Sequence, residues 1–181
     1  MHKHIPIAFV LSLFLLAALG TSDTSAQEKN KPIKGANVLE LFHGTWDVKT
    51  TVEPTNGKKR TKMVVSKRFK SLGGKFLRFE DENNHDPNEP EFHMLLTYDP
   101  KQKNYPGVYM AGSERAKITG TWDETTNTMT FKVNVPEKFQ FVGVHRFIGN
   151  NRAEASATVT DPNGKVLTKF TWKETKRKEK E

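Results

Sequence analysis

From Trp46 onward the chain alternates apolar and polar residues. Trp46, Val48, Thr50 and Val52 fall on one side of an extended backbone, with Asp47, Lys49 and Thr51 on the other. The same two-residue period recurs in Met63, Val65 and Phe69, in Phe92, Met94, Leu96 and Tyr98, and in Ile118, Gly120 and Trp122. It continues in Met129, Phe131, Val133 and Val135, then in Phe139, Phe141, Gly143, His145 and Phe147. Ala153, Ala155, Ala157 and Val159 form another set, and Val166, Thr168, Phe170 and Trp172 close the series. A period of two belongs to strands with one face in a core, so each run predicts a strand whose apolar set points inward.

Turn residues separate the runs at hairpin spacing. Pro54-Thr55-Asn56-Gly57 and Asp161-Pro162-Asn163-Gly164 both contain Asn-Gly, whose residues tolerate the backbone of tight turns. Leu72-Gly73-Gly74-Lys75, Asp99–Asn104, Asp123–Asn127 and Gly149-Asn150-Asn151 supply others. The spacing predicts about ten strands joined as consecutive hairpins, with no helix long enough for a parallel crossover. Asn37 could cap one short helical turn whose Val38, Leu41 and Phe42 share a side. A meander of this length closes into a barrel or stacks as two sheets, and closure removes the exposed edges. The expectation is therefore an all-β, antiparallel up-and-down β-barrel, with an immunoglobulin-like sandwich second.

Gly-Thr-Trp-Asp occurs twice, at Gly44–Asp47 and Gly120–Asp123, each time opening an alternating run. The sequences diverge directly afterwards, so the pair reads as two separate strand entries rather than a duplication. In each, the glycine permits close approach and the indole supplies bulk for a barrel floor. Trp172 would lie near the same barrel end if the sheet closes.

The N-terminus adds an address. Met1–His4 is short and basic, Ile5–Leu19 is mostly apolar, and Thr24-Ser25-Ala26 has the small-x-small form of a signal-peptidase site. This reads as a signal peptide over residues 1–26, with Gly20 as a second cleavage site, and its apolar core is short for a membrane span. The expected plan is a flexible lead-in over 27–36, a barrel over 37–174 and a charged tail over 175–181. The protein is then exported, periplasmic or extracellular, without a membrane span after cleavage. With no cysteine, neither a lipid anchor on that residue nor a disulfide is available. Roughly 155 residues after cleavage make one domain able to bury a sizeable core.

Charge changes the picture less. Lysine and arginine number 29 against 21 aspartates and glutamates, a net charge of +8, with clusters at Lys58-Lys59-Arg60-Lys62, at Lys67-Arg68-Lys70 and in the tail. Basic surface suits anionic partners, but export and the absence of an aromatic-glycine RNA signature argue against nucleic acid.

Leu41-Phe42-x-Gly44-x-Trp46 after a short helical turn resembles the opening of the lipocalin-like (calycin) superfamily. The resemblance implies that the first-strand tryptophan plugs one barrel end and that a basic residue from the end of the last strand packs across it. Lys173, Lys176 or Arg177 is placed for that part. Leu95-Leu96-Thr97-Tyr98-Asp99-Pro100 with Tyr105, followed by Gly120-Thr121-Trp122-Asp123, looks like an uncharacterised bacterial exported family, a lipocalin-like domain of unknown function. The nitrobindin-like haem barrel also opens with Gly-x-Trp, but its haem ligand is a late-strand histidine. Arg152–Glu174 contains none, so no haem is expected.

Candidate chemistry is sparse. His145 shares a face with Phe139, Phe141 and Phe147, which predicts either an imidazole in an apolar cavity or a core histidine satisfied by a neighbour. The alanine row on the next strand leaves space for a ligand or for a large side chain opposite. Asp81–Glu91 is acidic and holds His85, with His93 just beyond, but a calcium loop needs glycine where Asp86 stands, so it reads as a solvated rim. There is no Gly-x-Ser-x-Gly elbow, cysteine nucleophile, phosphate loop or His-Glu-x-x-His motif. No catalytic residue, metal site or cofactor is therefore assigned. The expected function is non-catalytic binding of a small, largely apolar molecule by a monomer or homodimer. Trp46, Tyr98, Trp122, Phe141 and His145 are expected to line or floor the cavity. The alternative is an envelope-associated interaction module, its interior filled, docking by its basic surface on a partner or anionic polymer.

Overall fold

Ten strands follow one another as hairpins: β1 (Gly44–Pro54), β2 (Arg60–Ser71), β3 (Phe76–Asp81), β4 (Phe92–Thr97), β5 (Tyr105–Ala111), β6 (Glu114–Asp123), β7 (Thr128–Val135), β8 (Phe139–Ile148), β9 (Arg152–Thr160) and β10 (Val166–Lys176). The structure is a computed structural model and describes residues 33–81, 92–112, 114–135 and 137–178. Each strand pairs antiparallel with its sequence neighbours, and β1 also pairs with β10, from Trp46 opposite Lys176 to Pro54 opposite Thr168. That seam closes the sheet into a barrel, so none of the ten described strands is left as a free edge. The sandwich alternative does not describe this protein. The proposed signal peptide and the acidic connection over residues 82–91 lie outside the described residues.

The predicted alternation holds on most of the wall. Trp46 and Val48 of β1, Met94 and Leu96 of β4, Ile118 of β6, the four apolar residues of β7, Phe147 of β8 and Ala153 of β9 all belong to one continuous core. On β2 the expectation fails. Met63 is 61% exposed, while Val64, Ser66 and Arg68 are buried. The register explains the inversion: Val64 lies opposite Val48, and Ser66 lies opposite Trp46, both inward residues of β1. A strand between two partners takes the face its register dictates, even when that face is the more polar one. Phe69, outside, lies beneath the Arg78 guanidinium at 5.4 Å.

A 3-10 turn (Gly35–Asn37) and helix α1 (Val38–Phe42) precede β1 and cover one end of the barrel. Asn37 precedes α1 as expected, but its side chain makes no capping hydrogen bond. Val38, Leu39, Leu41 and Phe42 are buried. From Ile33 onward the segment is tied to the strands by hydrogen bonds from Tyr105 and Trp122.

Candidate functional site

The two ends of the interior differ: the helix end is capped by Ile33–Phe42, and a cavity of about 670 Å³ lies against that segment, lined by Ile33, Lys34, Asn37, Glu40, Leu41, Asn150 and Lys176. A five-residue helix leaves its last carbonyls unpaired, and the Trp46 indole Nε1 donates to the Phe42 carbonyl at 2.8 Å. Two further aromatic donors hold the chain before it: the Tyr105 hydroxyl donates to Gly35 O at 2.8 Å, and Trp122 Nε1 donates to Ile33 O at 2.8 Å. Tyr98 packs against Tyr105 with ring centroids 5.2 Å apart. These positions need bulk and a donor in one side chain, which tryptophan and tyrosine supply. The Phe42 ring fills the centre, edge-on to Phe147 at 4.7 Å, His145 at 4.9 Å and Phe79 at 5.6 Å.

The two Gly-Thr-Trp-Asp segments serve this end. A Cβ on Gly120 would come within 2.9 Å of Met129 Sδ. At Gly44, with φ +113°, a Cβ would collide with Lys176 Cε at 2.6 Å. The absent side chain lets Lys176 Nζ lie 5.7 Å from the centroid of the Trp46 ring, the basic residue that the family resemblance implies. Arg177 turns outward and binds Asp47 at 2.7 Å.

A polar cluster sits above this floor, inside the barrel. Arg68 (5% exposed) reaches from β2 past the Trp46 ring (5.0 Å) and the Phe79 ring (5.2 Å). Its Nη2 donates to Glu174 Oε2 on β10 at 2.8 Å. His145 Nε2 lies 3.3 Å from the same oxygen, close enough for charge contact but not aligned as a hydrogen bond. Burial raises the Glu174 pKa, but the Arg68 charge, with His145 beside it, outweighs burial and holds the carboxyl at about 2. Ser66 accepts from Arg68 Nε at 3.4 Å and donates to Asp81, directly opposite on β3. Burial pushes the Asp81 carboxyl up, more than Ser66 and Arg68 pull it down. His145 is thus packed among rings, stacked on Phe147 at 4.8 Å, but its polar edge meets a carboxylate.

Toward the other end the inward side chains become partly exposed. Phe92, Tyr109, Phe139, Phe141 and Trp172 pack against the core yet remain only half-buried. Phe170 and Trp172, on one face of β10, stack in parallel with centroids 5.5 Å apart. Beside them run Ala157 and Ala155 of β9, then Gly143 and His145 of β8. The Phe141 ring folds over Gly143, where a Cβ would come within 2.8 Å of it.

The five residues named from sequence therefore divide. Trp46, fully buried, and Tyr98 and Trp122, partly buried, stand at the α1 end, Phe141 stands on the opposite stretch, and His145 stands between them. Arg68, Glu174, Ser66 and Asp81 join the site without a sequence expectation behind them. Glu174 continues the inward run of Phe170 and Trp172 by two residues, but hydropathy alone assigns a charged residue to the outer face. Among the described residues no group of three or more histidine, aspartate and glutamate side chains could hold a metal ion.

Solved structures share the architecture at low identity. An S-type phycobiliprotein lyase from Guillardia theta superposes with a TM-score of 0.62 at 14% identity, over 82% of this chain and 95% of that one. A protein of unknown function from the DUF3598 family of Nostoc punctiforme gives 0.60 at 7%, over 81% of this chain and 51% of its own. Rv2717c from M. tuberculosis gives 0.59 at 11%, over 78% and 96%. No curated protein matches the sequence. The family DUF1579, described as a protein of unknown function, matches residues 31–176, and the chain belongs to that family.

Proposed function

We propose that this DUF1579 barrel binds a small, largely apolar molecule in its lumen, entering at the end opposite α1, and leaves it chemically unchanged. One observation carries the reading. Phe92, Tyr109, Phe139, Phe141 and Trp172 belong to the inward-facing set of a closed barrel, yet solvent reaches them. Rings kept inside a wall but not covered by other side chains are what a pocket for an apolar ligand presents. A similar fold in a phycobiliprotein lyase is compatible with a ligand-handling role, though at 14% identity the likeness concerns fold alone. Export to the periplasm or medium completes the proposal and rests on the N-terminal sequence.

Titration with N-phenyl-1-naphthylamine, a neutral apolar fluorophore, tests it. Binding should be saturable, should weaken about tenfold when Trp172 and Phe170 are both changed to alanine, and should be nearly indifferent to salt. No saturable binding, or binding unaffected by the double change, refutes it.

A second reading keeps the outer surface as the working face. Lys49 and Lys173 lie directly opposite one another on exposed positions of β1 and β10, with Glu154 opposite Lys173 on the next strand and Glu53 opposite Lys169 further along. Like charges facing each other across a ladder oppose pairing, and an anionic polymer would relieve them. Such binding should fall steeply with salt, and it requires no accessible lumen.

A further inference from the structure

Arg68 is the one buried lysine or arginine among the described residues, and its own chain uses only part of it. A guanidinium carries five N–H donors. Nη2 meets Glu174 and Nε meets Ser66, while Nη1, also buried, has no hydrogen-bond partner among the described residues. Leaving a buried donor unpaired costs roughly 1–3 kcal/mol, more when it is charged. The rings of Trp46 and Phe79 over which the guanidinium lies offer it π-faces but no acceptor oxygen. Its partner Glu174 sits two residues from Trp172 on the same face of β10, about 7 Å along the strand. The buried cluster therefore lies directly below the stretch lined by Trp172, Phe170 and Phe141, the next step inward along the same face of β10.

On the reading of the lumen as a binding site, we infer that its ligand carries a terminal oxygen acceptor, a carboxylate or a carbonyl, which Arg68 Nη1 receives while the apolar body lies along Trp172, Phe170 and Phe141. A purely hydrocarbon ligand would leave the donor unpaired in the bound state. An acceptor-headed one removes that cost and fixes which end enters first. Arg68 suits this role better than a lysine would, because its planar fork can hold Glu174 with one nitrogen and a second oxygen with the other.

The test displaces bound N-phenyl-1-naphthylamine with 2-naphthylacetic acid, its primary amide and 2-ethylnaphthalene. The acid, the amide or both should displace at least tenfold more effectively than the hydrocarbon. Preference for the acid identifies a carboxylate head, and equal action of acid and amide identifies a neutral carbonyl. Arg68→Met combined with Glu174→Leu removes both charges together and should abolish the advantage while leaving displacement by the hydrocarbon. Hydrocarbon as effective as both oxygen compounds in the unaltered protein, or an advantage surviving the double change, overturns the inference. If the double variant does not fold, Glu174→Gln decides: it weakens the competing anion on Arg68, so the acid should gain severalfold over its level in the unaltered protein, and no gain overturns the inference. Failure of the fluorophore itself to bind removes the lumen reading, whereas equal displacement by all three compounds removes only the head group.

Discussion

The two halves of the barrel interior are built from the same ten strands and from similar residues, and they are finished differently. At the α1 end Phe42, Trp46 and Tyr105 are fully buried and Tyr98 and Trp122 partly so, and three polar ring atoms have a backbone acceptor: Trp46 at Phe42, Tyr105 at Gly35, Trp122 at Ile33. At the other end comparable rings, Phe139, Phe141, Phe170 and Trp172, are left partly open to solvent. Aromatic content alone therefore does not separate a core from a cavity. What separates them here is the capping segment Ile33–Phe42, which covers one end and supplies the carbonyls that make its tryptophans and tyrosine fit.

If the capped end is core, breaking it should be the costlier act. Phe42→Ala removes a ring touching Phe79, Phe131, His145 and Phe147, and urea unfolding should show a loss of about 3–5 kcal/mol. Arg68→Ala leaves Glu174 buried without its cation and should cost about 3 kcal/mol or more by the same assay. Replacing both residues by apolar ones should recover most of that loss, because the expense lies in the stranded charge rather than in the missing bond.

Acid tests the junction between the halves. The Glu174 carboxyl titrates lower in the folded protein, at about 2, than its ordinary 4.5, so its stabilisation is complete above the ordinary value and disappears as pH falls through the folded one. That window corresponds to about 3 kcal/mol. Asp81, pushed the other way by burial, favours the fold at low pH and offsets part of the loss. Stability measured from pH 5 to 2 should fall in the natural protein, and should fall less steeply in Glu174→Gln.

At the accessible end, stability and binding should part company. Trp172→Ala should lower stability by no more than about 1 kcal/mol, since its ring is only half-buried, but should weaken fluorophore binding severalfold. The smallest effect belongs outside the barrel altogether. Met63→Ser, on the outer face of β2, should change unfolding free energy by less than about 0.5 kcal/mol, whereas Val64→Ser on the inner face should cost clearly more.

That last pair marks where the sequence was readable. β1, β4 and β6–β9 could be oriented from alternation because the residues on their inward side are apolar, small or, once, a histidine, Glu114 at the start of β6 being the exception. β2 could not: Val64 competes with Met63 and Val65, and its next inward residues are Ser66 and Arg68, which hydropathy assigns to water. Only the partners reveal the cost of burial being met, with Glu174 arriving from 106 residues away in sequence. The floor was legible from Gly44-x-Trp46, because a glycine before a buried indole has few other uses. The polar cluster was not, because a buried charge is recognisable only beside its counter-charge, and that pairing is made by barrel closure.

Closure has one more result. Ile33 is held by Trp122 at the capped end, and Arg177 N donates to Thr45 O at 2.8 Å on the same rim. Both ends of the folded unit leave from the α1 end of the barrel. Anything joined to the chain beyond Ile33 or Arg177 would hold the barrel like a cup by its base, at the end away from Phe92, Phe139 and Phe170.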